Sequence, residues 1–301
     1  MNWLILANES DISKKISDTI LLRDRTAKIN SYSLSKEDSK KWALNLCEIS
    51  NVIIIADENE IEKTEISGPV MALSGFCISE KITLFTNLKT IDDLSIGSKD
   101  QIYYFEDTEK IISDLNTNYV YLLDACKKRE AYKSLLNLGV PFTPASFAQY
   151  IVEGKFEICR QFITAGMDIN VRDKTGTPMI NLAVRTDEEE IVAWLVDNGA
   201  DISVSSEDRG YTPVMDAVWR GNFEIANFLI KRGADVNTIS KDGQTNLVLA
   251  VGANRIGLVE LLVNNKADPD VKDSMGMSAY DYARLFKKDD ILKILEPYHK
   301  S

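Results

Sequence analysis

The phrase FLIKRGADVN at Phe228–Asn237 recurs in altered form along the second half of the chain. Its glycine belongs to a series, Gly166, Gly199 and Gly233, whose members stand 33 or 34 residues apart, and Lys266 takes the next place. A fixed period of this size predicts stacked supersecondary units, none of which can bury its apolar face alone. Stacked repeats serve mainly as surfaces that hold other macromolecules, so the period predicts a solenoid with a binding function.

Each unit carries residues suited to a turn and two helices. In GYTP at residues 210–213, Thr212 is a suitable N-cap, and Pro213 sits at the first helical position, where its missing N–H costs nothing. Gly233 ends the second helix, where a left-handed residue is needed. These residues, with Ala217, resemble the ankyrin repeat. The resemblance implies an all-α solenoid of about five to six helix pairs, beginning near residue 118.

The sequence departs from the ankyrin pattern where the family has His. Met215 and Val248 occupy that place, and Asn181 occupies it in an earlier repeat. The hydrogen bond between turns that His normally provides is therefore expected to be missing at Met215 and Val248. At the start of the array, the segment Tyr121–Val140 reads as a shortened helix pair, and residues 278–298 have the polar outer side of a capping repeat.

The first part of the chain has a different pattern, in which short apolar runs alternate with helical patterns. Runs such as Val52–Ala56 are apolar throughout, which indicates a sheet covered on both faces. Strand–helix alternation then predicts a doubly wound, five-stranded parallel sheet. The predicted strands are Trp3–Ala7, Lys28–Ser33, Val52–Ala56, Ile82–Phe85 and Ile102–Phe105.

Residues 46–87 resemble the third strand, acidic loop and following helix of the nucleoside 2-deoxyribosyltransferase and TIR-like superfamily, with Gly75-Phe76 and Lys81 in matching places. The resemblance implies a nucleotide or nucleoside site. Leu73 stands where the family has its catalytic Glu, so a degenerate domain without turnover is expected. We therefore predict two domains: a flavodoxin-like or deoxyribosyltransferase-like α/β domain over 1–116 and an ankyrin repeat domain over 117–301.

The candidate catalytic residues are Asp57 and Glu65, in an acidic stretch after the third strand. A carboxylate here could bind a ribose hydroxyl, act as a base or hold a divalent cation; the alternative is a solvated acidic loop relieved by Lys63. A response-regulator receiver domain is a competing reading, since Asp57 ends the third strand. No Lys-Pro follows the fifth strand, however, where Phe105-Glu106 stands.

Other chemistry finds little support in the composition. The single His299 cannot build a His-based zinc site or a Ser-His dyad, and we expect no metal and no cofactor. The four cysteines have no Cys-x-x-Cys spacing and read as buried free thiols. This usage, and the absence of a signal peptide after Met1, favour a reducing cytoplasm. No apolar run reaches the 18 or more residues that would span a membrane.

Charge narrows the class of partner. Lys and Arg number 35 against 46 Asp and Glu, which gives a net charge of −11, and neither half of the chain has a basic stripe. Binding to nucleic acid or an anionic membrane is therefore not expected, and the partner is expected to be another protein. The net charge favours approach of a basic partner surface.

The ankyrin resemblance implies that a partner contacts the turn tips and inner helices, which line one concave face. The candidate partner-binding residues are Tyr211, Trp219, Arg220, Arg185, Arg255 and Gln244. Trp, Tyr and Arg are the residue types enriched at binding hot spots. For Trp219, packing between neighbouring repeats is the alternative interpretation.

Two functions remain open from the sequence. The first is a scaffold or adaptor that binds proteins through the ankyrin array and carries a non-catalytic α/β domain. The second is a nucleotide- or nucleoside-processing enzyme, of glycohydrolase or deoxyribosyltransferase type, targeted by its array. Leu73 in place of the family's Glu, and the near absence of His, favour the first.

Overall fold

The computed structural model describes residues 1–35, 38, 49–56, 67–79, 82–88 and 102–300. Contacts within the chain divide it into two compact units, Met1–Glu130 and Ala131–Ser301. Across these described ranges, no helix combines the length and the apolar character needed to cross a bilayer.

The first unit contains the predicted five-stranded parallel sheet. Its order, β2-β1-β3-β4-β5, places β1 and β3 side by side at the centre, and Leu4 pairs with Asn30 on one side and Val52 on the other. The central strands are rich in Ile, Leu and Val and are buried on both faces, as parallel strands under helices must be. The strands are β1 Asn2–Ala7, β2 Lys28–Tyr32, β3 Asn51–Ile55, β4 Thr83–Thr86 and β5 Ile102–Tyr104.

Three described helices cover the sheet: α1 Ser10–Arg23, α2 Ser67–Ser79 and α3 Thr108–Asn137. Alternate strand residues face opposite sides, so the core divides into two clusters. Helix α2 contributes to one cluster, and α1 with the first half of α3 contributes to the other. The described helices therefore lie on both faces of the parallel sheet; the segment KEDSKKWALNLCEIS at residues 36–50, which has a helical sequence pattern, lies largely outside the described residues.

Helix α3 corrects one sequence-based prediction. It is continuous over Thr108–Asn137, so the shortened helix pair predicted at Tyr121–Val140 does not form. The reason is local: neither Gly nor Pro occurs within α3, and the first left-handed residue is Gly139, at φ +70°. The predicted domain boundary at residues 116–117 lies inside this helix, whereas contacts divide the chain at Glu130–Ala131.

The second unit is a stack of helix pairs. In each pair the first helix is called inner and the second outer; successive inner helices pack on one another, and the outer helices from α7 onward do the same. Five pairs occur in the described chain, in agreement with the predicted five to six. They are α4 Pro144–Val152 with α5 Phe156–Thr164, α6 Met179–Arg185 with α7 Glu189–Asp197, α8 Pro213–Arg220 with α9 Phe223–Lys231, α10 Asn246–Gly252 with α11 Ile256–Asn264, and α12 Ala279–Leu285 with α13 Asp289–Leu295.

The turns of the array follow the sequence signals. Thr212 caps α8 by accepting a hydrogen bond from the Met215 N–H, and Ser278 forms a capping box at α12. The residues that end the first four outer helices are left-handed, as predicted from their series: Gly166, Gly199, Gly233 and Lys266 have φ of 98°, 91°, 96° and 70°. Lys266 therefore holds a conformation that favours glycine.

Candidate functional site

One position near the C-terminal end of each inner helix forms a line across the array, and we call these positions the inner-helix row. The row consists of Val152, Arg185, Trp219, Gly252 and Leu285, spaced 33 or 34 residues apart. Neighbouring packed helices lie roughly 8–10 Å apart, so the row crosses the array in even steps. Val152, Trp219 and Leu285 are 50%, 47% and 61% exposed, which makes the row a surface with several large apolar side chains.

Trp219 is the exposed member of this row whose ring contacts an aromatic and a cationic side chain. The Tyr211 ring meets it edge-on, with centroids 6.5 Å apart, and the Arg209 guanidinium lies 5.9 Å from the centroid of the indole and 5.7 Å from that of the phenol. Tyr211 is itself buried, and its hydroxyl donates to Gln244 Oε1 at 3.2 Å. The structure thus brings together three predicted site residues. Trp219 is exposed, Tyr211 is buried and Gln244 is half-buried.

Arg209 was not among the predicted site residues. It occupies the turn tip two residues before Tyr211, in the stretch where the repeat carries one inserted residue. That insertion is the signal in the sequence that the loop differs from its counterparts. Because a guanidinium beside an aromatic face is attracted by the ring quadrupole, Arg209 favours the observed position of the exposed Trp219 ring.

The Arg185 guanidinium forms its hydrogen bonds with other groups of the same protein. Its Nε donates to Asp216 Oδ1 at 2.9 Å, its Nη1 donates to Asp208 Oδ2 at 2.9 Å, and its Nη2 donates to Ser206 Oγ at 3.0 Å. Asp216 is 2% exposed, so this ion pair lies within the stack rather than on its surface. Arg185 therefore joins the second helix pair to the third, a role that its place in the row does not reveal.

The two carboxylates of this network are shifted in opposite directions. Burial raises the pKa of Asp216, although the hydrogen bonds from Arg185 and Asn181 oppose that rise. Burial also acts to raise the pKa of Asp208, but hydrogen bonds from Arg185 and Ser206 outweigh it and hold that pKa well below the ordinary value. Asp208 is therefore the firmly ionised partner of the Arg185 guanidinium.

Asn181 supplies an inter-repeat hydrogen bond at the position where ankyrin repeats have His. Its Nδ2 donates to the Tyr211 backbone oxygen at 3.0 Å and to Asp216 Oδ2 at 2.8 Å. The bond between turns was expected to be missing at Met215 and Val248, whereas Asn181 provides one in this repeat. At Met215 and Val248 the side chains are apolar and buried, and packing takes its place.

Of the other two predicted arginines, Arg220 is the last residue of inner helix α8 and Arg255 is the N-cap residue of outer helix α11. Arg220 Nη2 donates to Asp187 Oδ2 at 2.9 Å, and both side chains are about half exposed. The Arg255 guanidinium covers Gly221: a Cβ added there would lie 2.6 Å from Arg255 Cζ. Gly221 is left-handed as well, at φ +81°, a conformation that favours glycine although Asp187 and Asn254 adopt it at the same place in neighbouring repeats.

The side chain that follows each left-handed inter-helix turn reaches back over the previous repeat. Glu188 covers Gly154, Asn222 donates to Asp187 Oδ1 at 3.3 Å, and Lys288 Nζ donates to the Val251 backbone oxygen at 2.6 Å. Arg255 over Gly221 follows the same rule. These contacts fix neighbouring repeats and place basic groups beside the C-terminal half of the inner-helix row.

A second candidate site is a cavity of about 430 Å³ in the first unit, at the carboxyl ends of β1 and β2 and the start of α1. Ligands of doubly wound sheets bind at this edge. Among the described lining residues the polar groups are hydroxyls, one amide and one amine, with no carboxylate. The lining residues are Ala7, Asn8, Ser10, Ser13, Lys14, Ser17, Ser31, Tyr32 and Ser33.

The residues proposed for catalysis gain no structural support. Asp57 and Glu65 lie outside the described residues. Leu73, at the place of the family's Glu, is 4% exposed and packs in the core between α2 and the sheet. In the portions of the chain that the structure describes, no three His, Cys, Asp or Glu side chains gather to hold a metal ion.

The described cysteines are buried free thiols, as predicted: Cys77, Cys126 and Cys159. Burial raises the pKa of Cys77 and of Cys159 to about 12. A thiol with so high a pKa is a poor nucleophile, so these groups serve packing. Cys47 lies outside the described residues.

Comparison with known proteins agrees with the repeat geometry. Residues 147–240 match the family model "Ankyrin repeats (3 copies)", and residues 234–283 match "Ankyrin repeats (many copies)". Residues 147–283 are therefore ankyrin repeats. Repeats of this family serve in protein–protein interaction.

Three relatives illustrate the similarity. A protein named as ankyrin repeat-containing in Treponema pallidum (strain Nichols) is 39% identical over 53% of this chain. The B-cell lymphoma 3 protein homolog of Mus musculus is 30% identical over 43% of the chain, and the neurogenic locus notch homolog protein 1 of Danio rerio is 31% identical over 46%. The chain spans 54%, 29% and 6% of these relatives, about half their length or less.

Proposed function

We propose that this protein is a scaffold or adaptor that binds another protein through the inner-helix row and the adjoining turn tips of its ankyrin repeats. The observation that carries the proposal is Trp219: a large aromatic side chain, 47% exposed, that lies beside both the Tyr211 ring and the Arg209 guanidinium. Hot spots are enriched in Trp, Tyr and Arg, and a side chain already held in place loses little entropy on binding.

The predicted partner-binding residues take two roles in this proposal. Trp219, Arg220 and Arg255 are exposed and contact the partner, together with Arg209. Tyr211, Gln244 and Arg185 support the surface rather than contact the partner, because their polar groups form hydrogen bonds within the stack. Substitution of the first group is expected to change affinity with little change in folding, and substitution of the second group is expected to change both.

For the α/β domain we propose a non-catalytic role. Leu73 lies in the apolar core, and the described lining of the cavity at β1 and β2 offers no carboxylate for attack at a sugar carbon. The resemblance to deoxyribosyltransferases supports retained binding of a polar ligand better than turnover. A cytoplasmic location belongs to the same proposal, supported by the three free thiols.

A displayed library of random-sequence peptides, selected on the full chain, tests the proposal. The affinities of selected peptides are then measured for the wild type, for Trp219→Ala and for the control Tyr298→Ala. Tyr298 is also exposed, but its hydroxyl donates to Asn264 Oδ1, at the end of outer helix α11. We expect Trp219→Ala to weaken binding by about 30-fold, as for a hot spot of about 2 kcal/mol, and the control to change it by less than about twofold. Equal affinity for wild type and Trp219→Ala, with intact circular dichroism, overturns the proposal.

A further inference from the structure

The inner-helix row has one gap, at Gly252. This residue ends α10 and is not left-handed, so its backbone does not require glycine. A Cβ added to Gly252 would meet no described heavy atom within 4 Å. The space above Gly252 is therefore open, unlike the space above Gly221 or Gly243, which neighbouring groups fill.

Exposed apolar side chains stand on both sides of the gap. Trp219 lies one repeat before Gly252 and Leu285 one repeat after it, and α8, α10 and α12 pack in that order. Neighbouring helix axes lie roughly 8–10 Å apart, so Trp219 and Leu285 belong to helices whose axes are about 16–20 Å apart. A side chain inserted between Trp219 and Leu285 would lie over Gly252.

Cationic groups surround the gap. The Lys288 ammonium lies 3.4 Å from the Gly252 backbone oxygen, the Arg209 guanidinium lies beside Trp219, and the Arg255 guanidinium lies over Gly221. Arg220 adjoins Trp219 and is the one of these four cations with an ion pair in the described structure, to Asp187. Three of these cations, Arg209, Arg255 and Lys288, therefore have no ion pair in the described structure, although the chain as a whole carries −11.

We propose that the gap over Gly252 receives an apolar side chain from an acidic segment of the partner protein. This rests on the proposed function and specifies the partner's chemistry. An aromatic or branched side chain would fill the space between Trp219 and Leu285, and flanking carboxylates would meet Arg209, Arg255 and Lys288. Charges within about 8 Å, the Debye length in physiological salt, dominate a contact of this kind, so these three cations act on the segment more strongly than the distant charges behind the net charge that favoured a basic partner.

Three peptide libraries of one design test the proposal on the full chain. Each has a central Phe, Trp or Leu and randomised positions that alternate with Glu, with Gln or with Lys. The best Glu peptides are expected to bind about tenfold or more tightly than the best Gln and Lys peptides, because each charge pair at a protected contact adds to affinity. Tighter or equal binding by the Gln or Lys peptides, or no binding by the Glu peptides, overturns the acidic assignment.

Substitution at the gap supplies the matched variants. Gly252→Trp fills the space and is expected to weaken the Glu peptide by about tenfold or more, whereas Gly252→Ala adds one methyl group and is expected to stay within about twofold of wild type. Unchanged affinity in Gly252→Trp removes the gap from the binding site. If the Gln or Lys peptides bind best and Trp219→Ala still weakens their binding, the proposed function holds and the acidic partner is excluded. If peptides bind without requiring Trp219, the proposed function itself fails.

Discussion

Arg185 and Asp216 form an ion pair between neighbouring repeats, with Arg185 Nε 2.9 Å from Asp216 Oδ1. The arginine side chain is 24% exposed and the aspartate side chain 2%, so the pair lies largely out of water. Asn181 and Asp208 complete the hydrogen bonds of both groups. A buried ion pair of this kind contributes little net stability. Removal of one partner is nevertheless strongly destabilising, because the other charge then stays buried without compensation.

Removal of the arginine is therefore expected to be strongly destabilising. Arg185→Met retains most of the side-chain volume and leaves Asp216 buried without its cation, which should lower the free energy of unfolding by about 3–5 kcal/mol. Arg220→Met is the matched control, because its pair with Asp187 is half exposed and should be worth about 0–1 kcal/mol. Urea unfolding followed by circular dichroism measures both. Equal losses in the two variants would refute the buried role of Arg185.

The dependence of stability on pH should carry the signature of Asp208. Its pKa in the folded protein lies below the ordinary 3.8, so the unfolded chain takes up the proton first. The stability that ionised Asp208 contributes is thus fully present above about pH 4 and is lost as the pH falls through the lower folded value. Asp216 has a raised pKa and acts in the opposite sense, since ionising it costs stability as the pH rises through that value.

Asp208→Asn separates the two effects. At pH 7 the variant should be less stable than wild type by about 1 kcal/mol, a modest loss because the Asp208 side chain is 39% exposed. The difference should shrink progressively below about pH 4, where Asp208 becomes protonated in the wild type as well. Urea unfolding at a series of pH values gives the comparison. A difference that stays constant down to strongly acidic pH would show that the charge of Asp208 contributes nothing.

Lys266 is the one departure from glycine among the residues that end the first four outer helices. It keeps the left-handed conformation at φ +70°, which costs an L-residue roughly 1–2 kcal/mol. Lys266→Gly should therefore raise the free energy of unfolding, by about 1 kcal/mol or less after the added entropy of the unfolded glycine. Gly233→Ala, at φ +96°, should lower it. A destabilised Lys266→Gly would indicate that the lysine makes a compensating contact.

The buried thiols should resist modification in the native state. In a Cys47→Ser background, Cys77 and Cys159 have pKa values raised to about 12, so only about one molecule in ten thousand carries either thiolate at pH 8. Ellman's reagent should therefore react slowly with the native protein and rapidly in urea. Fast labelling without denaturant at either residue would show that the core around it opens readily.

Much of this fold follows from local signals in the sequence. The glycine series predicted the left-handed turns correctly, including Lys266, because stacking forces the same backbone on every repeat whatever the side chain. All five strands were predicted, and those buried along almost their whole length, β1, β3 and β4, were the clearest, since strands covered on both faces have few alternatives. Helix α3 was predicted less well: without Gly or Pro to end it, the helix passes through the expected boundary at residues 116–117.

The site was harder to predict, because its properties come from contacts between repeats. Trp219 and Tyr211 were identified from residue type alone, but their contacts with Arg209, in the same turn as Tyr211, and with Gln244, in the next turn, are set by the fold. Arg185 has the same place in its repeat as Trp219 and was expected to be free for a partner. Its guanidinium instead forms ion pairs with Asp208, in the turn that carries one inserted residue, and with Asp216, on the next inner helix.

Photocrosslinking to a selected peptide is the most direct test of the inner-helix row as the binding surface. Benzoylphenylalanine is placed at Leu285, an exposed member of the row, and in a control protein at Glu260, an exposed residue of outer helix α11. We expect irradiation to join the peptide to the protein labelled at 285, with little product from 260, and unlabelled peptide to compete. Equal crosslinking from both positions, or a product from 260 alone, would contradict binding at the inner-helix row.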